Sequence, residues 1–127
     1  MKIEIEFFKE NFIDAIGAGI YKITAKHNNK EELLYIGESV FVLVRCATHL
    51  FELKREPQYL GFDEFSIDND NIALKFELIQ SCNSKKERKN LEKQLIDKLH
   101  PIMQSGISDK MKPIDQKIEA LSNFLTH

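Results

Sequence analysis

The chain has 127 residues, 43% of them hydrophobic, which is the size and apolar content of one ordinary domain and too apolar for a disordered segment. It has no run of about 18 apolar residues, which argues against a membrane span, and the mixed start MKIEIEFFKE lacks the unbroken apolar stretch of a secretory leader. The net charge of -2 is not that of a basic nucleic-acid-binding domain, although KKERK at 85–89 with Lys93, and LKR at 53–55, gather positive charge locally or form solvated helix faces.

Residues 2–7 alternate Lys-Ile-Glu-Ile-Glu-Phe, the period of a strand, although a helical turn reaching Ile16 also fits. AGIYKITAK (18–26) is rich in strand formers, HNNK (27–30) has turn chemistry, and EELLYIG (31–37) is the return strand of a hairpin. The stretch ESVFVLVRCATHLFELKREP predicts a helix capped by Ser39 and stopped near Pro57. Phe41, Val44, Thr48 and Phe51 recur at helical spacing, and so do Val40, Leu43, Ala47 and Leu50. YLGFDEFSIDNDN (59–71) reads as a loop with one helical turn, and IALKFELIQ (72–80) as the clearest strand. SKKERKNLEKQLIDKL (84–99) is the clearest helix, with Ser84 and Glu87 in a capping box and Leu91, Leu95, Ile96 and Leu99 as its buried stripe. SGISDKMK (105–112) is a loop before a last amphipathic helix over 113–125. The expected architecture is α+β, a small antiparallel sheet of about three strands flanked by helices. All 127 residues form one domain, with a core over about 17–104 and a helical extension over 105–127. Cys46 and Cys82 stand alone, with no paired spacing, and read as buried small hydrophobes in a reducing, cytoplasmic setting.

Several polar positions ask for more than packing. If Tyr21 pairs directly with Tyr35, the midpoint falls at Asn28 in the turn, and both phenols emerge on one face with Cβ atoms ~5 Å apart. They form a structural aromatic pair or two hydroxyls aimed at one site. Arg45 and His49 are four residues apart on one helical face, as a solvated flank or as a functional pair. Glu92 borders the packing face of its helix, where a half-buried carboxylate needs a cation: Arg45, or a metal ion. Gln104 carries an amide that can both donate and accept.

GIY at 19–21, YIG at 35–37, the arginine and histidine one turn apart, and the helix LEKQLIDKLHP together resemble the GIY-YIG nuclease superfamily, over roughly Gly17 to Gln104. The resemblance implies a metal-dependent DNA endonuclease that hydrolyses phosphodiester bonds. Tyr21 would be the general base or proton relay for the attacking water, and Tyr35 would bond that water or the scissile phosphate. Arg45 would hold the phosphate, His49 would assist Tyr21, and Glu92 would bind one Mg²⁺ or Mn²⁺ ion. Gly19, Gly37, Lys22 and Gln104 would line the substrate. Phosphodiester chemistry agrees with these roles: a guanidinium suits a phosphate bidentately, a hard ion on one carboxylate keeps positions open for oxygen ligands, and a cation such as Arg45 would lower a phenol pKa. His49, titrating near neutrality, would take the proton in turn. One departure is Gln104, where the family commonly carries Asn; glutamine keeps the amide and adds a methylene. The expected partners are DNA, whether duplex, branched or nicked, and a second copy of the chain, with no membrane. The competing expectation is a nucleic-acid-binding or protein-interaction module of the same fold without turnover; RNA as substrate ranks lower, because no aromatic platform for single strands is evident.

Overall fold

A computed structural model describes residues 1–5, 12–104 and 122–125. The elements run β1 (Lys2–Ile5), α1 (Phe12–Ile16), β2 (Gly19–His27), β3 (Lys30–Ser39), α2 (Val42–Arg55), β4 (Ile72–Ser81) and α3 (Lys85–Leu99). Two 3-10 turns, Pro57–Leu60 and Ser66–Asp68, lie between α2 and β4 where one turn was expected. Residues 122–125 are helical; the rest of the expected last helix and the loop before it lie outside the described residues. None of the described helices is long and apolar enough to cross a membrane.

The class is α+β, but the sheet has four strands in the order β1-β4-β2-β3 and is mixed, not three-stranded and antiparallel. β2 pairs antiparallel with both β3 and β4, while β1 joins the far side of β4 in parallel. A parallel pair needs a long crossover, and the chain between β1 and β4 supplies one through α1, the hairpin and α2.

The β2–β3 turn is Asn28-Asn29, with φ of 51° and 64°. Two left-handed residues make the two-residue turn that matches strand twist, and asparagine tolerates that conformation better than most. The register from this turn runs evenly to Thr24↔Leu33, then shifts, leaving Leu34 as an extra residue before Ile23↔Tyr35. Tyr21 therefore faces Gly37 across the ladder, not Tyr35 as expected. The two tyrosines still share a face, set diagonally, with ring centroids 6.1 Å apart.

α2 turns a different side inward from the one its apolar pattern suggested. Its buried residues are Val42, Cys46, His49 and Leu53, while Phe41, Val44 and Phe51 are exposed, Phe51 at 64%. The helix starts at Val42, whose amide donates to Gly17 O at 3.1 Å, and Ser39 accepts from the Phe41 amide outside the helix instead of capping it. On α3, Ser84 is the N-cap and accepts from the Glu87 amide at 3.3 Å, as the capping box predicts. Leu91, Leu95 and Ile96 are half-buried and Leu99 is exposed; the buried residue of this helix is Arg88.

The main core gathers Tyr21, Ile23, Ala25, Leu34 and Tyr35 from the hairpin, Leu74 and Phe76 from β4, Val42, Cys46 and Leu53 from α2, and Leu60, Phe62 and Met103. On the other sheet face Ile20 and Ile36 are fully buried, and there Glu38 of β3 meets α3. Arg88 donates to Glu38 at 2.9 Å and to the carbonyls of Cys82 and Asn83, and Lys89 pairs with the same carboxylate at 2.8 Å. Two of the basic residues of KKERK are thus tied to Glu38. Beyond α3, the amides of Ile102 and Met103 donate to Leu33 O and Leu34 O, and Gln104 Oε1 accepts from the Ile36 amide at 2.8 Å. This latch covers the outer edge of β3, an edge that would otherwise offer unpaired backbone groups. Cys46 is buried, Cys82 is half-exposed, and both are free thiols.

Candidate active site

The chain has three tyrosines, and the rings of all three surround one histidine. His49 comes from the middle of α2 and is fully buried. Tyr21 from β2 meets its Nε2 at 2.6 Å, and Tyr59 from the first 3-10 turn meets its Nδ1 at 2.9 Å. Tyr35 from β3 contacts the imidazole edge-on at 5.1 Å between centroids. Arg45, one helical turn before His49, is half-buried, and its charge acts on all three phenols. Of the expected site residues, Tyr21, Tyr35, Arg45 and His49 therefore converge from three elements.

Gly37 explains why the ring of Tyr21 can lie where it does. A Cβ at residue 37 would stand 2.6 Å from Tyr21 Cζ and 2.8 Å from Tyr35 Cε1. The space freed by the glycine is filled by the chain's own aromatic rings. At Gly19 a Cβ would stand 2.7 Å from Gln80 O, so that glycine serves the close approach of β4. Lys22 alternates to the sheet face opposite Tyr21 and pairs with Glu77 at 3.8 Å, so it does not join the tyrosines. Gln104 reaches the strand backbone between Tyr35 and Gly37.

The electrostatics correct two expectations. Burial pushes the Tyr21 phenol far above its ordinary pKa, Tyr35 and Cys46 add to the effect, and Arg45 opposes it without prevailing. Burial also raises Tyr35, against Arg45 and with Glu92, and raises Tyr59. These phenols are neutral in the free protein; the desolvation cost of a phenolate exceeds what one guanidinium returns. His49 does not titrate near neutrality: burial, and then Arg45, hold it down at about 3. Burial pushes the Cys46 thiol up to about 12, so it is inert. For Arg45 itself burial works against the charge, but the tyrosines outweigh it and its pKa is raised.

Glu92 stands at the rim of this cluster, half-buried on α3. Its pKa is raised by burial and by Glu38, against Lys89, and its charge in turn raises Tyr35. Among the described residues it makes no ion pair within 4 Å, with Arg45 or any other base, whereas Glu38, though burial opposes its charge, is held low by Lys89 and Arg88. No group of three His, Cys, Asp or Glu side chains among the described residues is arranged to hold a metal. The Glu92 carboxylate accepts from the Glu38 backbone amide, and its remaining oxygen lone pairs fit a hard divalent ion that takes its other ligands from water.

Tyr59 is the member that the sequence pattern did not single out. It lies outside any periodic element, and the one signal for it was the scarcity of tyrosine in the chain. No protein-family model, no curated protein and no solved structure matches the chain.

Proposed function

We propose that the chain is a metal-dependent endonuclease of the GIY-YIG kind that hydrolyses phosphodiester bonds in duplex, branched or nicked DNA. The observation that supports this reading is the convergence of Tyr21, Tyr35, Arg45 and His49, from two strands and a helix, on one point near Glu92, a carboxylate that makes no ion pair among the described residues. This reading assigns a proton path along the Tyr21–His49 contact. A water approaching the phosphorus loses its proton to the Tyr21 oxygen as the Tyr21 proton passes to His49 Nε2, so no free phenolate forms; His49, held low in the free protein, becomes a better acceptor once the negative charge of a phosphate lies beside it. Arg45 donates two N–H groups to the phosphate oxygens, and the Tyr35 hydroxyl bonds the phosphate or the attacking water. Glu92 would hold Mg²⁺ or Mn²⁺, which supplies charge neutralisation at the phosphate when bound. A homodimer would place two such sites for double-strand cleavage, and a cytoplasmic setting suits two free cysteines.

The experiment is plasmid nicking by purified protein with Mg²⁺ or Mn²⁺, with and without chelator. Nicking that stops on chelation, and that Glu92→Ala lowers at least ~100-fold, supports the reading. Undiminished activity in both Glu92→Ala and Tyr21→Phe refutes the assigned site. A second reading, a nucleic-acid-binding or protein-interaction module without turnover, is favoured by the complete enclosure of Tyr21 and His49. DNA binding with no cleavage under either metal selects it.

A further inference from the structure

A neutral imidazole carries one N–H and one acceptor nitrogen, and both nitrogens of His49 face a phenol oxygen. Two arrangements satisfy the ring. In one, Nδ1–H donates to Tyr59 and Nε2 accepts from Tyr21; in the other, each bond is reversed.

The surroundings separate them. Tyr21 is fully buried, and Arg45, which has only N–H donors, faces its oxygen. That oxygen is called on as an acceptor, so its own proton must go to an acceptor nearby, and His49 Nε2 lies 2.6 Å away. Were Nε2 protonated, the Tyr21 oxygen would face two N–H groups, and its own proton would have to leave the 2.6 Å contact for the Tyr35 hydroxyl. Tyr59 is only half-buried, so it can accept from the ring and give its own proton to water. Burial keeps the ring neutral at pH 7, which leaves only the choice of tautomer.

We propose that Tyr59 is a positioning residue that fixes the His49 tautomer: the ring carries its proton on Nδ1, donates it to the Tyr59 oxygen, and so leaves Nε2 open to the Tyr21 hydroxyl. A third group that orients the base is a general need of such relays. The catalytic consequence rests on the proposed nuclease reading; the tautomer does not. An Nε2–H ring could not take the Tyr21 proton, so the wrong tautomer would block the relay without moving an atom of the substrate site.

The test is nitrogen NMR of ¹⁵N-histidine-labelled protein at pH 7, with His49 assigned by its absence from His49→Gln. The expected spectrum has a protonated-type resonance at Nδ1 and an unprotonated-type resonance at Nε2. In Tyr59→Phe, which keeps the ring packed on His49, the population moves toward Nε2–H. In the nicking assay the same variant lowers kcat by about 10- to 100-fold, the usual effect of losing an orienting partner, with KM unchanged. Protonated Nε2 in the wild-type protein, or the same tautomer in Tyr59→Phe, overturns the proposal. The spectrum needs no DNA. A protein that cuts nothing, yet shows the tautomer move, refutes the nuclease reading and leaves this one standing; the wild-type spectrum decides the tautomer even if the variant fails to fold.

Discussion

The Tyr21 hydroxyl and His49 Nε2, on β2 and α2, are 2.6 Å apart and both residues are closed off from solvent. A hydrogen bond in that setting is costly to break from one side, because the remaining partner is left unsatisfied in the core. Tyr21→Phe is expected to destabilise the protein by about 1–3 kcal/mol, the cost of an orphaned buried acceptor. Urea denaturation measures it. Under the nuclease reading the same change lowers nicking at least ~100-fold. Unchanged stability would mean that the bond is absent in solution.

His49 also makes a pH prediction. Its folded pKa, about 3, lies below the unfolded value near 6.5. Between those values the unfolded chain binds a proton that the native ring refuses, so stability falls as pH is lowered. The His49 contribution to that slope is up to about 1.4 kcal/mol per pH unit. Stability curves from pH 7 to 4 should flatten in His49→Gln relative to the wild type. Parallel curves would place an ordinary, solvated histidine at this position.

Glu92 makes the opposite prediction. Its folded pKa is raised, so the ionised form is less at home in the folded protein than in the unfolded chain. The penalty is present above the folded pKa and disappears as pH drops below the unfolded value near 4.5. Glu92→Gln is therefore expected to raise Tm at pH 7 and to lose that gain in acid, while abolishing metal-dependent nicking. A gain in stability with a loss of activity is the signature of a group kept for function. A lower Tm at pH 7 would show that Glu92 is a structural partner instead.

Gly37→Ala tests the packing of the tyrosine pair. The new methyl would overlap Tyr21 Cζ and Tyr35 Cε1, both held by neighbours, so the rings must move. Overpacking of this kind costs about 1–3 kcal/mol. Thermal unfolding should show the drop, and NMR should show a lengthened Tyr21–His49 bond. A neutral substitution would mean that the hairpin opens without cost at this end.

Much of this arrangement was legible in the residues. Asn28-Asn29 declared the hairpin, the alternation from Ile72 declared β4, and Ser84 with Glu87 declared the start of α3. Tyr21, Tyr35, Arg45 and His49 lie together, a grouping that the family resemblance implied and that spacing alone did not fix. The failures share a cause: each was settled by tertiary contacts instead of by local pattern. Apolar residues lie on more than one side of α2, and the choice went to Cys46 and His49, whose ring is satisfied by two phenols. The ladder register was broken at Leu34, which no turn rule foresees. Tyr59 reaches His49 from an irregular turn, and strand alternation sends Lys22, which the resemblance grouped with the substrate, to the sheet face away from the tyrosines. β1 was readable as a strand, but its parallel placement beside β4 depends on the crossover as a whole.

The latch of residues 102–104 on β3 has a mechanical side. Gln104 grips the amide of Ile36, the residue between Tyr35 and Gly37, and Met103 grips the carbonyl of the bulged Leu34. Tension applied to the chain beyond Gln104 would thus be transmitted to the stretch of strand that aims Tyr35. Whatever is joined there, a fused reporter or a tethered module, holds a lever on the aromatic cluster.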